Sequence, residues 1–289
     1  YFGWDPFLPR ASYHVGEGVW TIVRPPGTLG HAGYFAVYLL HVAFAGVAVA
    51  GAGAGPQWRR VGAIAATLAV AAILLSGARG ALLGLAAGAV TLALVRRPRF
   101  TRRRLGVMLA VLAAMPVFYL SPAGVQLRAR ARWFREDPGG GGRLTLWTDT
   151  LRMSTHRWLA GYGPETYSSE YPRFQSEELA QRFPERYFES PHNIFLDALA
   201  GQGVPGPAAL AGLTALGLWG LRRSGALLAG LVASVVANQF VSFTIPTALL
   251  FYATIAMGAG AEAPERPQRR WFLLPLTLAL LAGAGVLAW

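Results

Sequence analysis

Residues 32 to 95 run almost without charge. Three apolar stretches, near 32–53, 61–77 and 80–95, are broken only by Arg59, Arg60 and Arg79. Five more apolar stretches follow, near 105–120, 204–221, 224–241, 243–261 and 271–289. A bilayer span needs about 20 apolar residues, fewer where neighbouring helices shelter the ends. Only 14% of the chain is charged, where a soluble domain carries about a quarter, and 54% is hydrophobic. Inside lipid every backbone polar group must be satisfied within the segment, which leaves helices or closed barrels. Nothing here alternates with period two over ten-residue segments, so a barrel is excluded. The expected fold class is an all-α polytopic membrane protein of about eight transmembrane helices with one long extracytoplasmic loop layer.

The basic residues orient these spans. All are arginine, 26 against 14 acids. One set of short connections holds Arg59 and Arg60, six arginines in "RRPRFTRRR" at 96–104, Arg222 and Arg223, and Arg266, Arg269 and Arg270. That face carries thirteen arginines and two acids, Glu262 and Glu265. The positive-inside rule makes it cytoplasmic. The alternate connections then lie outside: the N-terminal segment, the turn at 76–80, the loop 121–203 and the turn near Ser242. The expected organisation is an outer segment with four spans over 1–120, the large outer loop over 121–203, and four spans over 204–289. The outer loop is balanced, with ten arginines and ten acids, so the net +12 reports topology. Nucleic acid is not implied.

The loop carries the polar chemistry. "GGGG" at 139–142 reads as a flexible break. "RLTLWTDTLRM" after it places Leu144, Trp147 and Leu151 on one apolar helical face. "QSEELAQRF" reads as a short surface helix. Ser190 and Pro191 read as the N-cap and first position of another helix, which puts His192 in its first turn.

Three residues stand out. Arg79 lies in a tight turn between two apolar helices, where a charge is costly unless paired, which makes it a functional candidate. Arg143 opens a helix directly after the glycines, so free backbone N–H groups and a guanidinium make an anion site there. Arg152 follows nine residues on, nearly opposite on the helical wheel. His192, at a helix N-terminus, is kept neutral by the dipole and able to take a proton, with Glu189 near enough in sequence to orient the ring. The other histidines, His14, His31, His41 and His156, have no ligand spacing with one another, and there is no cysteine. No metal site and no cofactor is expected.

These residues resemble a known family. "HNIFLDALAGQGVPG" is similar to the bacterial O-antigen ligase motif through His192, Asn193, Gly203 and Gly206. "SGARGALLGL" resembles the arginine-bearing turn of the same superfamily, which includes the O-antigen polymerases. "GRLTLW" with Arg143 and Trp147, and "GYGPETY", resemble its large periplasmic loop. "RPPGTLGHAGYFAVYL" resembles an upstream segment, but has His31 or Gly33 where the pattern has asparagine. The resemblance covers most of residues 24 to 260. Family members have more spans before this point, and the chain opens at Tyr1, so it implies an N-terminally truncated member.

What the resemblance implies is a metal-independent, inverting glycosyl transfer in the bacterial inner membrane, with the site on the periplasmic face. The donor would be a glycan on undecaprenyl diphosphate, and the acceptor a sugar of the lipid A core. Arg79, Arg143 and Arg152 would bind the donor diphosphate, His192 would take the acceptor proton, and Asn193, Gly203 and Gly206 would support the motif. A polymerase or a protein O-oligosaccharyltransferase would use the same donor with another glycan or a protein as acceptor. A transporter with an arginine-lined path is the reading of a different class. It requires inverted repeats or paired broken helices, and the chain has neither pattern.

Overall fold

The computed structural model describes residues 29–53, 55–96 and 141–261, with isolated positions between 14 and 23 and between 106 and 132. The expected spans at 105–120 and 271–289 lie wholly or mostly outside the described residues. One two-residue antiparallel pair, His14–Val15 with Ile22–Val23, is present. The other described elements are helical.

Three helices are long and apolar enough to cross a membrane: α1 (Ala32–Gly51), α2 (Pro56–Ser76) and α3 (Arg79–Arg96). Three shorter apolar helices follow the loop: α8 (Pro205–Gly220), α9 (Gly225–Ala237) and α10 (Ile245–Ala261). Between the two groups lie α4 (Arg143–Thr155), α5 (Tyr167–Glu170), α6 (Glu177–Arg182) and α7 (Ile194–Gln202). Six of the eight apolar stretches read from the sequence thus coincide with helices.

Lipid gives helices no hydrophobic reason to associate, so bundles rely on close backbone approach at small residues. α3 does this with a glycine at every fourth position. A Cβ on Gly84 would lie 2.4 Å from the Ala233 carbonyl oxygen, and one on Gly88 2.4 Å from the Phe44 ring and 2.8 Å from the Ala229 carbonyl oxygen. α3 therefore lies flush against α9, and its first turn meets the last residue of that helix, Ala237, and Phe240 in the turn beyond it. α1 and α2 cross the same way at Gly46 and Gly62, and α8 and α10 at Gly220 and Gly258. Leu40, Phe44, Ile73, Ala233 and Ala237 fill the core between these helices. Ile64, Leu68, Leu83, Val90 and Leu94 stay exposed on α2 and α3, as a lipid-facing surface requires.

The loop layer coheres differently. Its core is Leu146, Met153, Tyr167, Tyr171, Leu179 and Phe188, held by stacked rings and buried hydrogen bonds. Asp149 is buried and accepts from Ser176 N at 2.9 Å, Ser176 Oγ at 2.8 Å and the Tyr171 hydroxyl at 3.3 Å. Thr150 and Tyr167 share a 2.7 Å hydrogen bond. This corrects the expected face of α4. Leu144 and Leu151 are exposed, and the inward side carries Leu146, Asp149, Thr150 and Met153. Counting apolar residues missed it because two of the four inward positions are polar and satisfied by partners far along the chain.

Candidate active site

The glycine run ends as a fixed turn. Gly141 and Gly142 have φ of 77° and 80°, a region that favours glycine. A Cβ on Gly142 would also lie 2.7 Å from the Phe183 ring. Gly142 caps α4 with no side-chain hydrogen bond, so the first-turn N–H groups face outward beside Arg143. At α3, Gly77 closes the preceding helix in the left-handed region and the Ser76 hydroxyl accepts from Ala78 N, turning the chain so that Arg79 is the first helical residue.

The His192 loop departs from expectation. The helix does not begin at Ser190–Pro191. Asn193 is its N-cap, and its Oδ1 accepts from Phe195 N at 3.0 Å and Leu196 N at 3.2 Å. His192 precedes the cap with φ of 53°. A non-glycine residue held there costs about 1–3 kcal/mol and persists only where its surroundings fix it. Here they do. Trp147 Nε1 donates to the Pro191 carbonyl at 2.9 Å. On the other side Asn193 Nδ2 donates to Gln239 Oε1 at 3.1 Å and Ile194 N to the Asn238 carbonyl at 3.1 Å. Ser242 Oγ donates to Ser190 Oγ at 2.7 Å. Glu189 does not orient the ring. Ser190 Oγ lies 3.4 Å from His192 Nδ1 and accepts from the His192 amide at 3.3 Å.

The two motif glycines have steric reasons. Gly203, at φ 66°, would place a Cβ 2.4 Å from the Leu159 carbonyl, and Gly206 would place one 2.5 Å from the Ala198 carbonyl oxygen. They let α7 and α8 fold back on each other against Trp158 and Leu159. "GYGPETY" joins the same knot, with Tyr162 N donating to the Ala200 carbonyl and Gly163 N to the Gly201 carbonyl.

Arg79, Arg143 and His192 come from three separate parts of the chain and line one cavity of about 330 Å³. The first turns of α3 and α4 both open into it, with Arg79, Gly80 and Ala81 from one and Arg143 from the other. The Nε and Nη2 atoms of Arg79 are buried. His31 and Arg186 also line it, and among the described residues no acidic side chain does. Arg152 is exposed and does not line it. Sequence reasoning passed over His31 and Arg186. His31 was weighed as a metal ligand and as a replacement for the asparagine of the upstream segment, and not as part of this site. Arg186 stands six residues before His192 on the same loop, a signal visible in hindsight.

Burial, and then the positive neighbours Arg143, His31 and Arg186, push the His192 imidazole down to about 4. The ring is thus neutral, as the sequence implied, but the cause is desolvation and like charge rather than a helix dipole. Among the described residues no cluster of His, Asp or Glu has the makings of a metal site.

The described residues thus combine apolar helices long enough to cross a membrane, a polar helical layer, and a cavity lined by Arg79, Arg143 and His192. A family model described as O-antigen ligase matches residues 64–211, about half the chain, and that stretch contains Arg79, Arg143, Arg152, His192, Asn193, Gly203 and Gly206. The chain belongs to this family, whose members carry out membrane glycan transfer. Comparison with curated proteins found no match.

Proposed function

We propose that the protein transfers a glycan from undecaprenyl diphosphate to an acceptor hydroxyl at the outer face of the cytoplasmic membrane, with lipid A-core or another glycan or protein as acceptor. The observation that carries this is the convergence of Arg79, Arg143 and His192 on one cavity to which no acid contributes among the described residues. Two guanidinium groups and two helix N-termini bind the diphosphate and stabilise the charge that grows on it as it leaves. His192 takes the acceptor proton. The acceptor oxygen bonds to the anomeric carbon as that carbon's bond to the diphosphate oxygen breaks, on opposite faces of the sugar, so the configuration inverts. The cationic charge is supplied by arginine, and no metal is required. Arg152, outside the cavity, has at most a peripheral role.

The test is transfer from purified undecaprenyl-diphosphate glycan to lipid A-core by the full chain in detergent with EDTA. Product should form at the rate seen without chelator. If donor is bound but no tested hydroxyl acceptor receives glycan, the reading fails. Orientation is tested with single cysteines in this cysteine-free chain. An impermeant thiol reagent applied to intact cells should label position 170 and not position 100, and the reverse pattern would place the cavity on the wrong face.

A further inference from the structure

A second cavity, of about 440 Å³, lies against the first. Three stretches of chain form the wall between them, and within each stretch neighbouring residues face different cavities. Gly33 lines the basic cavity and Tyr34 the second; Phe188 the basic and Glu189 the second; Val241 the basic and Ser242 the second. The second cavity has no basic side chain among the described residues, and its acids are Glu165, Glu189 and Asp197. Among the described residues no hydrogen bond or ion pair reaches any of these three carboxylates, and all three residues line the cavity. Tyr34 and Tyr252 add aromatic surface to the lining.

We propose that this second cavity is the acceptor site and that it takes the unphosphorylated sugar end of a glycan. The assignment rests on the transfer reading above and names the acceptor class for the same reaction. Sugar hydroxyls are donors for three carboxylates, and tyrosine rings offer faces on which a pyranose packs. A phosphate brought among those carboxylates meets like charge, with no compensating cation among the described lining residues, which costs affinity. The opposite charges of the two cavities thus sort the two substrates: the lipid diphosphate is drawn to the arginines and the polyol is left to the acids.

The wall also carries the connection that the chemistry needs. Ser242 Oγ and Ser190 Oγ line the second cavity and are bonded to each other, and Ser190 Oγ lies 3.4 Å from Nδ1 of His192, whose residue lines the first. An acceptor hydroxyl presented across that wall loses its proton to His192 as its oxygen bonds to the anomeric carbon, and the diphosphate departs with the electron pair of the broken bond. Asp197 sits in the first turn of α7, where burial and then Glu165 push its carboxyl up to about 6. Near neutral pH it accepts a hydroxyl hydrogen bond and is poorly disposed toward a second negative charge.

The experiment measures steady-state transfer by the full chain with one lipid-diphosphate donor and two acceptor glycans that differ only in a phosphate on the terminal sugar. The unphosphorylated acceptor should be used at least about tenfold more efficiently. Glu165→Gln, at an exposed position, and the isosteric Asp197→Asn should each raise acceptor KM about tenfold, the loss expected of a charged hydrogen-bond partner, with donor KM unchanged. Glu165→Arg should narrow the preference against the phosphorylated acceptor. Equal use of both acceptors by the wild type, or variants that alter donor KM and leave acceptor KM alone, would overturn the assignment while the transfer reading stands. Transfer to neither acceptor, with donor still bound, would bring down the transfer reading and this proposal with it.

Discussion

The two cavities share a wall and differ in almost every chemical respect. Among the described residues, one is lined by Arg79, Arg143, Arg186, His31 and His192 without an acid, the other by Glu165, Glu189 and Asp197 without a base. The loop that supplies much of both is neutral overall, ten arginines against ten acids. Net charge over a segment therefore conceals the field at a site. The sorting is achieved by a period of one or two residues along three stretches that cross the wall. On one of these stretches Ser190 lines the second cavity and His192, held at φ 53°, lines the first.

The sharpest way to break the comparison is to remove the histidine. His192→Ala should lower turnover by about 10² to 10⁴-fold, the usual contribution of a positioned general base, with donor binding retained. His192→Gln should be as poor, because an amide does not take the proton. His192→Asn separates chemistry from backbone, since asparagine tolerates the left-handed region. If the asparagine or glutamine variant turned over near the wild-type rate, His192 would be a structural residue.

The basic side comes next. Arg79→Ala and Arg143→Ala should each lower turnover by about 10² to 10³-fold, as for loss of one preorganised donor to developing charge, and should weaken donor binding. Lysine should restore only part, because it lacks the planar fork that meets two phosphate oxygens. Arg152→Ala should leave rates within a few fold, measured in the same transfer assay. A loss at Arg152 as large as at Arg143 would mean that the cavity boundary is drawn wrongly.

The pH dependence then sharpens what occupies the basic cavity. In the free protein His192 is pushed down to about 4 by burial and by cations. The profile of kcat/KM for donor reports the free enzyme, so its acidic limb should lie near 4, with activity rising as the ring loses its proton. A bound diphosphate offsets the cations, which favours the charged imidazole and raises its pKa. The limb in kcat should therefore move upward. Coincident limbs would mean that the anion does not bind beside His192.

How much of this was legible differs between bundle and loop. Six apolar helices could be read because hydropathy alone dictates them, three of them long enough to cross a membrane, and the glycines of "RGALLGLAAG" already carried the spacing by which α3 meets α9. Arg79, Arg143 and His192 could be singled out because each breaks a local rule. The face of α4 could not be read, since Asp149 and Thr150 are buried on account of Ser176 and Tyr167, partners from other segments. Nor could the start of α7. Ser190–Pro191 has the composition of a helix start, yet Asn193 takes the cap while Trp147 and Ser242 hold the two residues before His192 for another use.

That use sets the smallest predicted effect. Ser242 contributes one hydrogen bond, at 2.7 Å, to Ser190 Oγ, which in turn lies beside Nδ1 of His192. Its removal costs about 0.5–1.5 kcal/mol, the net worth of an ordinary hydrogen bond, so Ser242→Ala should lower turnover less than about tenfold. Trp147→Phe, which keeps the ring packing but deletes the bond to the Pro191 carbonyl, should act on the same scale. Because each supports the His192 loop from a different side, the two losses should not simply add. A double variant whose loss in turnover differs from the product of the single losses, with donor binding intact, is the expected outcome of the double-mutant cycle. Strictly multiplicative losses would mean that Trp147 and Ser242 hold separate features, and that His192 keeps its conformation without a shared clamp.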